Sequence, residues 1–189
     1  MTRPDADRRD EIDLAGEWEL STSSAEGPQQ SATVPGNWFL DGIDGPETVW
    51  YRRSVSIPDD WAARQVRLRF GAVDYAATVT WDGSVVGGHT GGFAPFTVAV
   101  PAEAGPHELV LRVDCPTDPF GEVWPHTKKP IRGVMGHHDA RPGGWTERGQ
   151  ERSSGGPWGP IILTAHDRVA VEAVRVATPV RPPSWRSTR

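Results

Sequence analysis

The densest run of residues able to do chemistry is His137-His138-Asp139-Ala140-Arg141, with His126 upstream and Trp124 and Trp145 on either side. Imidazole and carboxylate groups together ligate zinc and similar ions. Neighbouring residues of an extended chain point to opposite sides, however, so His137 and His138 do not reach one ion together. The ligand spacing of an ordinary zinc site is also absent. The run reads better as a loop in which Asp139 and Arg141 join a hydrogen-bonded network. Neither a metal nor another cofactor is expected.

A second candidate is the glycine-rich stretch GSVVGGHTGGFAPF, residues 83–96. A phosphate cradle needs the GxxxxGK[ST] spacing followed by a helix whose N–H groups face the anion. No lysine follows these glycines, and the next residues, FTVAV, alternate as a strand. No nucleophile stands at a usable spacing from His89, which reads as a loop residue. The glycines fit positions of positive φ or of close approach between strands.

Carboxylates could serve glycoside hydrolysis, which needs two at a defined separation. Asp59-Asp60 form a pair and look like turn residues; Asp74, Asp114, Asp118, Glu122, Asp139, Glu147 and Glu151 stand singly. No GxSxG elbow or cysteine–histidine arrangement marks a covalent mechanism. The nine tryptophans serve either as core filling or as platforms on which the apolar face of a sugar stacks. From the residues alone, the chain is a binding or scaffold protein.

The elements that would carry these residues are strands. Val66, Leu68 and Phe70 alternate with Gln65, Arg67 and Arg69, and Ala77, Val79 and Trp81 with Ala76, Thr78 and Thr80, which is the pattern of sheets wet on one face. Asp82-Gly83 fits a type I′ turn. Phe96 to Val100, Leu109 to Val113, Glu17 to Leu20, Val49 to Ile57, Pro160 to Ala165 and Val169 to Val176 are further strands. Asp59 to Ala63 allows one helical turn at most. With 21 glycines and 18 prolines, this spacing predicts an all-β fold, an antiparallel β-sandwich. Residues 115–157 show almost no alternation, and a segment of that length is expected to carry function.

The bulk numbers set limits. A single cysteine, Cys115, closes no internal disulfide, and 189 residues need no staple to fold. A net charge of −5 argues against a nucleic-acid partner. No stretch is apolar over the roughly 18 residues of a membrane span, and MTRPDADRRDEIDL is too charged for a signal peptide. The expectation is a cytoplasmic protein with no membrane contact. Residues 1–12 are expected to be a disordered arm, 13–178 the sandwich and 179–189 a linker-like tail.

Several ordered motifs carry a family resemblance. Leu14-Ala15-Gly16-Glu17-Trp18, Val34-Pro35-Gly36-Asn37-Trp38, Val49-Trp50-Tyr51-Arg52-Arg53, residues 70–77 (FGAVDYAA), 81–83 (WDG), 86–96 (VGGHTGGFAPF) and 153–160 (SSGGPWGP) together resemble the N-terminal sugar-binding domain of family 2 glycoside hydrolases. That family includes β-galactosidases, β-mannosidases and β-glucuronidases. The resemblance implies a galactose-binding-like jelly roll. It also implies a chain that is noncatalytic by itself, since an immunoglobulin-like domain and a TIM barrel follow in the family, and the barrel holds both catalytic glutamates. Those domains are the implied partners, with carbohydrate as ligand, and a truncated or separately encoded module is expected. In some members the N-terminal domain lends loop residues to the substrate pocket. The matching positions are Gly45 to Val49 and the stretch after Val113, with Asp118 as the polar contact. A free-standing carbohydrate-binding module, or a non-functional truncated product, are the alternatives. Such a module would bind through Trp124, Trp145 and polar residues of the long loop such as Asp139 and Arg141.

Overall fold

A computed structural model describes residues 10–43, 46–116, 144–146, 149–152, 155–167 and 176. The strands are β1 (Asp10–Asp13), β2 (Gly16–Ser21), β3 (Gln30–Val34), β4 (Thr48–Ile57), β5 (Gln65–Phe70) and β6 (Ala76–Trp81), then β7 (Ser84–Thr90), β8 (Phe96–Val100), β9 (Gly105–Asp114), β10 (Gly144–Thr146), β11 (Gly149–Arg152) and β12 (Ile161–His166). Among the described residues a single 3-10 turn, Asp59–Trp61, follows Pro58, and all strand pairings are antiparallel.

One sheet has four strands in the order β1-β12-β5-β8, and the other has six in the order β3-β2-β4-β9-β6-β7. Alternation decides which side chains face between them. Val66, Leu68 and Phe70 of β5 are buried, as are Ala77, Val79 and Trp81 of β6 and Leu109, Leu111 and Val113 of β9. They join Trp18, Leu20, Tyr51, Ile161 and Leu163 in one hydrophobic core. This is the expected β-sandwich, in which each inner face removes its apolar surface from water against the other. Asp82 and Gly83 both have positive φ, +47° and +78°, as the turn between β6 and β7 requires.

The structure corrects three expectations. The strand β1 begins at Asp10 and pairs with β12 from Asp10↔Ala165 to Asp13↔Ile162, so residues 10–12 belong to the sheet and not to a disordered arm. His89 is a strand residue: Ser84–Thr90 pairs with β6 along its length, and the loop is confined to residues 91–95. Glycines suit this strand because a Cβ at Gly87 would lie 2.9 Å from both Val98 methyls and one at Gly88 2.5 Å from the Ala77 carbonyl. The long segment expected to lack strands holds the short hairpin β10–β11. The strand expected at 169–176 lies outside the described residues except for Val176, which is exposed and in no strand.

Candidate functional site: the clasped loop end

The loops that carry the motifs meet at one end of the sandwich. The Gly36 N–H donates to the Pro157 carbonyl (3.0 Å) and that of Trp38 to Gly155 (3.1 Å), while Asp74 and Gly156 exchange both backbone hydrogen bonds (3.0 and 2.8 Å). Loops 35–43, 71–75 and 155–160 are thereby tied into one layer. The Val34–Pro35 and Asp74–Tyr75 peptides in it are cis. Glycine is demanded at its centre. A Cβ at Gly155 would sit 2.5 Å from the Trp38 ring and 2.7 Å from the Cys115 Cβ, and Gly156 has a φ of +136° beside the Tyr51 hydroxyl.

Three of the exposed large apolar side chains crown this end: Leu40 (78% exposed), Phe93 (55%) and Trp158 (45%). Phe93 and Trp158 pack edge to face with ring centroids 5.6 Å apart. The indole N–H of Trp158 donates to the Gly92 carbonyl at 2.8 Å, which fixes the ring in place while leaving it half open to solvent. Rigid aromatics displayed in this way lose little entropy when another surface covers them.

At the same end of the strands lies a polar edge. Thr48 and Asp114 face each other in register, and the Thr48 hydroxyl donates to Asp114 Oδ1 at 2.7 Å. Arg112 reaches the same oxygen at 2.8 Å and sets its guanidinium over the Trp50 ring, 5.8 Å from the centroid. The Cys115 N–H donates to the Glu47 carbonyl at 2.7 Å. The two stretches expected to lend residues to a substrate pocket are thus brought together, at residues 47–48 and 114–115.

Beneath the surface, Asp41 Oδ2 and the Tyr51 hydroxyl are buried without hydrogen-bond partners. Burial raises the Asp41 carboxyl above its usual range, and burial together with the Asp41 charge raises the Tyr51 phenol, so both favour their neutral forms.

Of the expected site residues, Asp118, Trp124, Asp139 and Arg141 lie outside the described residues. Trp145 is at the centre of β10, where only the backbone is described. Asp114 falls in the stretch after Val113 expected to lend residues, whereas Leu40, Trp50, Phe93, Arg112 and Trp158 were not expected as site residues. Trp50, Phe93 and Trp158 did stand inside the quoted motifs, but nothing in their spacing told exposed from buried. Among the described residues no group of His, Cys, Asp or Glu side chains could hold a metal ion. None of the described helices is long and apolar enough to cross a membrane.

A four-strand sheet on a six-strand sheet, with its loops clasped at one end, is a galactose-binding-like sandwich. The chain belongs to the glycosyl hydrolase 2 galactose-binding domain-like family, whose model matches residues 44–165. It is similar to a beta-glucuronidase of Streptococcus agalactiae serotype V, 42% identical over 52 residues that make up 28% of this chain and 9% of that protein. Its fold resembles the beta-D-glucuronidase of Dictyoglomus thermophilum, with a TM-score of 0.64, 21% identity and coverage of 96% of this chain and 32% of that one. The apo b-glucuronidase of Ruminococcus gnavus gives a TM-score of 0.59 at 17% identity, covering 84% of this chain and 29% of the other. The chain therefore spans less than a third of each of these proteins.

Proposed function

We propose that the chain is the noncatalytic N-terminal β-sandwich of a family 2 glycoside hydrolase, and that it supports hydrolysis of O-glycosidic bonds only together with immunoglobulin-like and barrel domains. In this reading the carboxylates that cleave the bond come from the barrel. The sandwich contributes a docking face and a polar rim. One observation carries the reading: three of the family's motifs, through residues 36–38, 74 and 155–157, converge on the end that displays Leu40, Phe93 and Trp158. Exposed apolar side chains gathered on a rigid frame mark an interaction surface. The adjoining Thr48–Asp114–Arg112 edge supplies hydrogen-bonding groups where the docking face would meet a substrate pocket. The similarity to beta-glucuronidases makes a β-glucuronide the first substrate to try.

The test is turnover of nitrophenyl β-glycosides by the purified chain. No turnover is expected on the glucuronide, galactoside or mannoside. Turnover that a single carboxylate-to-amide substitution in this chain abolishes would overturn the reading.

A further inference from the structure

The outermost strands of the two main sheets are β1 and β8 on one, β3 and β7 on the other. An outermost strand turns a row of backbone N–H and C=O groups away from its sheet. Proteins ordinarily guard such a row with charge, proline or short length. Three of the four strands follow that practice. Strand β1 reads Asp-Glu-Ile-Asp, three acids in four residues. Strand β8 has five residues, set between Pro95 and Pro101. Strand β3 also has five, is followed directly by Pro35, and directs its Thr33 N–H to Asp41 Oδ1 at 3.5 Å.

Strand β7 has neither charge nor proline in its seven residues, SVVGGHT. The uncharged run extends from 84 to 102, in a chain where 24% of residues are charged, so two such flanks meet without like charges opposed. Among the described residues β7 pairs only with β6, and its outer row makes no hydrogen bond. Ser84, Val85, Gly88 and Thr90 are exposed, Val85 to 70%. A bulge at Val86 is the one irregularity, and it leaves Gly87 to Thr90 in unbroken register with β6.

A row of backbone groups is satisfied along its length by another strand. An antiparallel strand can pair with its own copy about a twofold axis, residue i meeting j and j meeting i. Charge selects the edge at which this happens. Each copy carries −5; pairing through β1 would oppose three acids from each copy, and pairing through β7 opposes none. We infer that two copies of this chain associate through antiparallel β7 edges, joining their six-stranded sheets into one. Thr90 of one copy then lies near Ser84 of the other. The loop ends that follow Thr90, with Phe93, therefore sit at opposite ends of the dimer. The inference stands apart from the docking role proposed for the loop end and survives if that role fails.

The experiment is sedimentation equilibrium of the full chain from about 10 µM to about 1 mM, with amide resonances followed over the same range. A seven-residue edge about 24 Å long belongs to the small, transient class of interface. The expected Kd is about 100 µM. Amides of residues 84–90 should shift with concentration. Raising salt from about 0.05 to about 0.5 M should tighten the dimer, because it screens repulsion between two chains of like net charge. Val85→Lys, at an exposed position, should weaken it at least about tenfold, while Thr97→Lys on β8 and Phe93→Ala should leave it unchanged. A monomer at about 1 mM, shifts confined to another edge or to Phe93 and Trp158, a dimer loosened by salt, or one indifferent to Val85→Lys would each overturn the inference.

Discussion

His107 has both ring nitrogens committed to acceptors, Nδ1 to Asp82 Oδ2 at 2.7 Å and Nε2 to the Glu103 carbonyl at 2.7 Å. A neutral imidazole has one N–H and can satisfy only one of them, so this geometry calls for the imidazolium. Burial alone would push its pKa down; the hydrogen bonds to Asp82 and Glu103 outweigh it and raise the value above 6.5. The Asp82 carboxyl is lowered below 3.8, first by its bond to His107 and then by the Glu108 N–H. The signs give a window. A raised histidine pKa contributes stability that is complete below about 6.5 and fades as pH rises through the folded value, while the lowered Asp82 contributes above 3.8 and fades as pH falls through its own. Thermal melts should therefore show the contribution of the His107–Asp82 pair at its strongest in mildly acidic solution, with His107→Gln flattening the decline towards alkaline pH. A nitrogen-detected spectrum of the ring at pH 6 should show both nitrogens protonated. At the loop end, Gly156→Ala forces a side chain into a φ of +136° against the Tyr51 hydroxyl, and urea denaturation should register a loss of about 1–3 kcal/mol.

The strands stand or fall on their inner faces. Phe70 of β5 stacks on Phe96 of β8 with centroids 4.6 Å apart and planes 6° from parallel, and Phe96 in turn carries His89 of β7 at 4.8 Å. This column links the two sheets at one edge. Phe70→Ala should cost about 3–5 kcal/mol by chemical denaturation and loosen β7 in hydrogen exchange. These strands were legible in the sequence because burial on one face writes itself as alternation: β5, β6 and β8 follow their expected spans closely, while β9 starts at Gly105, four residues before the expected Leu109. The strand β3, Gln30–Val34, was not legible, since only Ala32 and Val34 of its five residues are buried. The strand β1 was hidden for the same reason, as its Asp-Glu-Ile-Asp sequence has a single apolar residue and is held by pairing with β12. His89 misled because the glycines before it suggested a loop. Gly87 and Gly88 were instead selected by close approach to Val98 and Ala77, contacts separated in sequence by about ten residues. The candidate site was legible only as a set of motifs. Their convergence depends on bonds such as Trp38 to Gly155, which no local pattern encodes.

For the whole molecule, the division of labour is between a rigid sandwich and the surface it presents. The core fills the space between the sheets, and the loop end closes over Trp38 and Cys115, both fully buried. Leu40, Phe93 and Trp158 remain outside that core, each with much of its side chain open to solvent among the described residues. Replacing Phe93 and Trp158 together by alanine should leave the fold intact, since both rings are about half exposed and lie outside the core, but remove the surface on which the proposed role depends. Hot-spot positions of this kind typically cost about 2 kcal/mol or more when truncated. The most direct measurement is calorimetric titration of the chain into a beta-glucuronidase fragment that retains its immunoglobulin-like and barrel domains. The account predicts saturable binding and a gain in glucuronide turnover, both weakened at least about thirtyfold by the Phe93→Ala, Trp158→Ala pair. Binding and turnover that this double substitution leaves unchanged would contradict it.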